Sequence, residues 1–246
     1  MVVDPLMPKW ACRYLAEYDL ERIYGEKILV DRKQNVRVKY TDDLLSTILL
    51  QREALWLERV STLGIETHRC LGLEKDGERG ILLTSYIEGE SLDEVMRCHE
   101  RVRSLADKRQ QISWSILDKL EELHRVDIVH GDLKPSNILL KKDGTLCFID
   151  FSNARRVGDA WVERRVVQQT HGFTYPRHSK HASVLYDYYS VLVSLAILYG
   201  DSPSTQPDNA LGFLQQFKAN VDALNFSSEL AGRLIQLTQQ VLDDLS

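Results

Sequence analysis

At 246 residues the chain is long enough for one large domain or for two closely packed lobes around an ample core. Apolar residues make up 43% and charged residues 27%, as in an ordinary soluble protein, and the net charge of −5 argues against a dominant nucleic-acid-binding surface. No apolar run reaches the roughly eighteen residues of a membrane span, residues 1–8 lack a signal core, and four scattered cysteines without a CxxC pair read as reduced thiols of a cytoplasmic chain.

In chain order, residues 9–23 read either as a helix, with Trp10, Tyr14 and Tyr18 at helical spacing, or as part of a bare hairpin at Gly25. Strands follow over 27–31 and 36–40, joined by a turn at 32–35, and alternation puts Arg37 and Lys39 on one face. A helix is predicted over 43–63 from the apolar positions Leu45, Ile48, Leu49, Leu55, Trp56 and Val60. After Gly80, the run 81–89 begins as a strand, and Ser91-Leu92-Asp93-Glu94 reads as a capping box that opens the next helix. A further helix covers 112–124. The loop 130–137 then leads into a strand at 138–140, a turn at 142–145 and a strand at 146–149. An apolar helix over 188–199 follows Asp187, and two amphipathic helices, 208–224 and 228–245, follow the break at 202–207. There is no internal repeat. The expected class is α+β.

The chemistry concentrates in His130-Gly131-Asp132-Leu133-Lys134-Pro135-Ser136-Asn137 and in Asp150-Phe151-Ser152, which begins thirteen positions after Asn137. These stretches supply an aspartate that can accept a hydroxyl proton, a lysine that can offset phosphate charge, and an Asn and a second Asp able to ligate magnesium. They resemble the catalytic and magnesium loops of the protein-kinase-like superfamily. The resemblance covers about residues 17–200 and implies a two-lobed kinase fold that uses ATP and Mg²⁺, with a small β-rich lobe over 1–88 and a shortened helical lobe over 89–246. It implies Asp132 as catalytic base with Lys134 and Thr170 beside it, and Asn137 and Asp150 as metal ligands. Lys39 would grip the α- and β-phosphates, with Glu53 as its ion-pair partner and Glu58 as a competitor for that role. Thr84 would control the pocket behind the nucleotide, and the backbone of Ser85, Tyr86 and Ile87 would meet the adenine edge. Thr170 to Pro176 resembles the end of an activation segment, and Asp187 resembles the aspartate that braces the catalytic-loop backbone.

Five positions depart from the family pattern, Ser152 among them in place of a glycine. Gly25 alone stands where a glycine-rich loop is usual, and Arg37 replaces a small residue that roofs the adenine, so it could stack on the base, reach a phosphate or obstruct the pocket. Arg177 replaces the glutamate that ties the activation segment to a late helix, and Gly131 replaces an arginine that reads a phosphorylated segment. The functional expectation is a kinase acting on serine or threonine of a protein, with no nucleic-acid or membrane partner and the oligomeric state open. Lys134 separates this from a small-molecule kinase of the choline or aminoglycoside type, and the absent glycine loop and Arg37 support a pseudokinase scaffold as a third reading. Arg155, Arg156, Arg164 and Arg165 form either a solvated charged loop or a substrate-facing basic cluster.

Overall fold

A computed structural model describes residues 7–22, 28–98, 108–160, 172–176, 180–200, 210–221 and 226–246. The chain divides into two units, Met1–Glu88 with Asp150–Ser152, and Gly89–Ile149 with Asn153–Ser246. Gly25, Arg164, Arg165, Thr170 and Arg177 lie outside the described residues.

In the first unit, helix α1 (Lys9–Cys12) and strand β1 (Glu21–Arg22) occupy the segment where a helix or a bare hairpin is expected. The hairpin reading is the one that fits: β1 pairs antiparallel with residues 28–31, Arg22 opposite Leu29, and only 9–12 is helical. Ala11, Leu15 and Leu20 pack with Leu29, Val38 and Ile81, and Trp10, Tyr14 and Tyr18 lie against the same cluster, so the aromatic spacing serves a wrapped segment, not a continuous helix. Strands β2 (Ile28–Asp31) and β3 (Val36–Thr41) form a hairpin whose turn is held by Asp31, which accepts from the amides of Lys33 and Gln34. Strands β4 (Cys70–Asp76) and β5 (Arg79–Ser85) complete an antiparallel sheet in the order β1-β2-β3-β5-β4.

Helix α2 (Leu44–Thr62) starts where the sequence places it, because the Asp43 side chain caps the amide of Ser46. Its buried side differs from the expected one: Leu50, Ala54, Trp56, Leu57 and Val60 are buried, whereas Leu45 and Leu55 are 50% and 52% exposed. Leu50 and Ala54 pack on Leu82 of β5, which fixes which side of an almost all-round apolar helix faces inward.

In the second unit, β6 (Gly89–Ser91) pairs with β8 (Ile138–Lys141), which pairs with β9 (Leu146–Phe148). A separate pair joins β7 (Ile128–Val129) to β10 (Arg155–Arg156). Helix α3 (Leu92–Arg97) opens on the expected capping box, with Ser91 accepting from the Glu94 amide and Glu94 reaching back to the Ser91 amide. Helices α4 (Arg109–Arg125), α5 (Val184–Leu198), α6 (Ala210–Asn220) and α7 (Ser228–Leu245) follow. Helix α5 begins earlier than predicted because Ser183 caps it, so Asp187 sits inside its first turn and not ahead of it. Among the described residues no helix is long and apolar enough to cross a membrane.

Candidate active site

Within the first unit, sheet register carries the phosphate-gripping candidates. Antiparallel pairing sets Lys39 opposite Leu82 and Arg37 opposite Thr84, so both cations project from the same face of β3. Lys39 Nζ lies 2.8 and 2.7 Å from the two carboxylate oxygens of Glu53 on α2, and 3.3 Å from Asp150 Oδ2. Glu58 is exposed, so the competition between the two glutamates resolves to Glu53. The Glu53 side chain is 2% exposed; burial pushes its carboxyl above the ordinary range, against the pull of Lys39 and Arg37.

Arg37 is 6% exposed and shares a face of β3 with Lys39. Its side chain turns toward Glu53, with Nη1 4.0 Å from Oε1, and that nitrogen is buried without a hydrogen-bond partner. Two cations therefore share one carboxylate, and Asp150 beside Lys39 supplies the second negative charge that makes the buried cluster tolerable. Asp150 itself has φ of 66°, a left-handed conformation that aspartate adopts more readily than most residues, though at some cost.

Thr84 is buried and its hydroxyl donates to the Arg37 carbonyl at 3.4 Å. The next two residues already use much of their backbone within the unit. The Ser85 amide donates to the Arg69 carbonyl, the Tyr86 amide donates to the Asn35 carbonyl, and the Ser85 carbonyl lies 2.7 Å from His68 Nδ1. Ile87 is half-buried beside them. His68 is a site residue that sequence reasoning missed; an isolated histidine between a helix and a strand gives no signal of what it will face.

Within the second unit, the loop between β7 and β8 is fixed from beneath by α5. The amides of His130 and Gly131 donate to the two carboxylate oxygens of Asp187 at 2.8 and 2.9 Å, and His124 Nε2 lies 2.9 Å from Oδ2. Gly131 has φ of 78°, a left-handed conformation that glycine adopts without strain. On this frame the Asp132 carboxylate, 7% exposed, accepts from Lys134 Nζ at 2.7 Å. Asn137 Nδ2 donates to the Asp132 carbonyl at 2.8 Å and to its Oδ2 at 3.3 Å, which turns the Asn137 amide oxygen the other way. His130 Nε2 meets the Ile149 carbonyl at 3.0 Å, and the Ile149 amide donates to the Asn137 carbonyl. The loop thus gathers Asp132, Lys134 and Asn137 within hydrogen-bond reach of one another.

The basic cluster is corrected in part. Arg155 is 5% exposed and donates to the Ala154 carbonyl, so it is neither a solvated loop charge nor open to a substrate.

The protein kinase domain family matches this sequence over residues 24–244. The chain belongs to the protein kinase family. A probable serine/threonine-protein kinase of Streptomyces coelicolor is 34% identical over 79 residues, covering 32% of this chain and 11% of that protein. The KEOPS complex subunit Bud32 of Pyrococcus abyssi is 30% identical over 168 residues, 64% of this chain and 73% of that one. A cysteine-rich receptor-like protein kinase of Arabidopsis thaliana, number 25, is 33% identical over 156 residues, 59% of this chain and 23% of that one. The kinase domain therefore spans a small share of the Streptomyces and Arabidopsis proteins and most of the archaeal one.

Proposed function

We propose that this kinase transfers the γ-phosphoryl group of ATP to serine or threonine of a protein, with Asp132 as the base. The observation that carries the reading is the Asp132 carboxylate held by Lys134 and Asn137 on a loop braced by Asp187. Fixing the acceptor hydroxyl against such a carboxylate turns a bimolecular encounter into an oriented attack. The acceptor oxygen forms its bond to the γ-phosphorus as the bond to the β,γ-bridging oxygen breaks, ADP leaves, and the hydroxyl proton passes to Asp132. Lys134 offsets negative charge at the transferring group, and Thr170 is proposed to complete that corner. Lys39, steadied by Glu53, grips the α- and β-phosphates, and Thr84 with the backbone of Ser85, Tyr86 and Ile87 borders the base.

The Asn137 amide oxygen and the Asp150 carboxylate are hard oxygen donors that suit Mg²⁺, which takes one or two protein ligands and leaves the rest to phosphate and water. When bound, the metal neutralises charge on the β- and γ-oxygens. Likeness to a subunit of a complex supports a further proposal, that the kinase works in association with other proteins. Cys12, Cys70, Cys98 and Cys147 form no disulfide with one another, which supports a reducing, cytoplasmic setting.

The test is transfer from γ-labelled ATP to casein, to a lysate and to a panel of small alcohols, with Asp132→Asn as control. Label should appear on protein serine or threonine and fall about 10²- to 10⁴-fold in Asp132→Asn. Label confined to the alcohols, or undiminished in Asp132→Asn, refutes the reading.

A further inference from the structure

We propose that Asp244, near the end of the last helix, is a positioning residue for residues 172–176; this rests on the protein-kinase reading, in which that stretch ends the activation segment and supports the acceptor peptide. The Tyr175 hydroxyl donates to Asp244 Oδ2 at 2.6 Å. That is the length of a charge-assisted bond between a hydroxyl and a carboxylate, the stronger class of hydrogen bond. Tyr175 is only 3% exposed, and its ring lies against Tyr186 at 4.9 Å and edge-on to Tyr189 at 6.0 Å, both on α5. The ring is thereby held from one side by α5 while its hydroxyl is held from the other by α7.

A second anchor acts two residues earlier. Ser190 Oγ on α5 donates to the Phe173 carbonyl at 2.8 Å. Ser190 follows Asp187 by one helical turn, so a single helix carries both the group that braces the His130 and Gly131 amides and the group that holds Phe173. Asp244 extends this frame to a third point, on a different helix. The placement of its charge is informative: Asp243 and Asp244 stand in the last turn of α7, where exposed carbonyl dipoles disfavour negative charge. A carboxylate in that position is compensated by the Tyr175 hydroxyl, which ties α7 to residues 172–176.

The test uses the full chain as wild type, Asp244→Ala, Asp244→Asn and Tyr175→Phe, with amide hydrogen exchange over 172–176 and separate KM values for casein and ATP. In Asp244→Ala and Tyr175→Phe, exchange over 172–176 should quicken and casein KM should rise, each about tenfold, as expected for losing one hydrogen bond to a charged group. ATP KM should hold steady. Asp244→Asn keeps an acceptor oxygen and should restore most of both readouts. Unchanged exchange in Asp244→Ala and Tyr175→Phe overturns the proposal, as does an ATP KM that moves in step with that for casein. A wild-type chain that labels no protein refutes the serine/threonine reading, and the exchange comparison then decides the role of Asp244 alone.

Discussion

His68 is a buried imidazole held in its uncharged form. It is 2% exposed, burial pushes its pKa well below the ordinary 6.5, and the positive charge of Arg37 adds to that push. The hydrogen bond to the Ser85 carbonyl acts against it, as does Asp150, while Lys39 acts in the same direction. Neutral His68 donates its Nδ1 proton to that carbonyl, and the strand that bears Ser85 is fixed to the loop after α2. The unfolded chain takes up a proton near pH 6.5, whereas the folded chain does so only at much lower pH. The contribution is therefore fully present above about pH 6.5 and is lost as the pH falls toward the folded-state pKa, with a slope of at most about 1.4 kcal/mol per pH unit. His68→Asn retains an N–H donor without a titrating ring, so its stability should fall less steeply than that of the wild type between pH 6.5 and 5. Urea unfolding midpoints of both chains at pH 7.5, 6.5 and 5.5 measure this; parallel slopes would show that His68 is not the group responsible.

Helix α5 carries the carboxylate that braces the loop bearing Asp132. The two oxygens of Asp187 accept from three donors, the His130 amide, the Gly131 amide and the His124 ring. Asp187→Asn supplies one acceptor oxygen and sets an NH₂ group against a buried N–H. It should cost about 2 kcal/mol of stability and lower kcat with little change in ATP KM, because the loop bearing Asp132 loses its brace. Steady-state transfer kinetics beside urea unfolding separate the two effects; a kcat equal to wild type removes the bracing role. Elements with local signals were legible in the sequence: the Ser91–Glu94 box and the loop 130–137 each lie within a few residues. What tertiary packing decides was not. Strand β4 shows no clean alternation and a bulge between Cys70 and Gly72, α2 offers apolar residues on more than one side, and Tyr175 and Asp244 stand 69 positions apart. The face shared by Arg37 and Lys39 follows from the strand period, and the partnership of Lys39 with Glu53 was implied by the resemblance to kinases; the turn of the Arg37 guanidinium toward Glu53 is a rotamer, which no period encodes.

At the scale of the whole molecule, the question is whether a chain with these departures from its family still takes nucleotide. The Lys39–Glu53 pair is formed and Asp150 is held beside Lys39, so little of the binding energy would go into assembling these groups. A ligand at one hundred times its dissociation constant stabilises the folded state by about 2.7 kcal/mol. For a chain of this size, each kcal/mol raises Tm by about 2–4 °C, so saturating ATP with Mg²⁺ should raise it by about 5–10 °C. The three variants should respond in different ways. Asp150→Asn should lose the part of the shift that EDTA removes from the wild type, because the metal loses its charged ligand. Asp132→Asn should keep the full shift, because the base acts on the acceptor hydroxyl and not on the nucleotide. Lys39→Met should bind more weakly with and without the metal, since a phosphate-gripping cation is gone. Thermal scans of the four chains with ATP, with ATP and Mg²⁺, and with EDTA added make the comparison. No shift in the wild type at millimolar ATP would favour a scaffold without nucleotide, and a shift that Asp150→Asn leaves intact would take Asp150 out of the metal site.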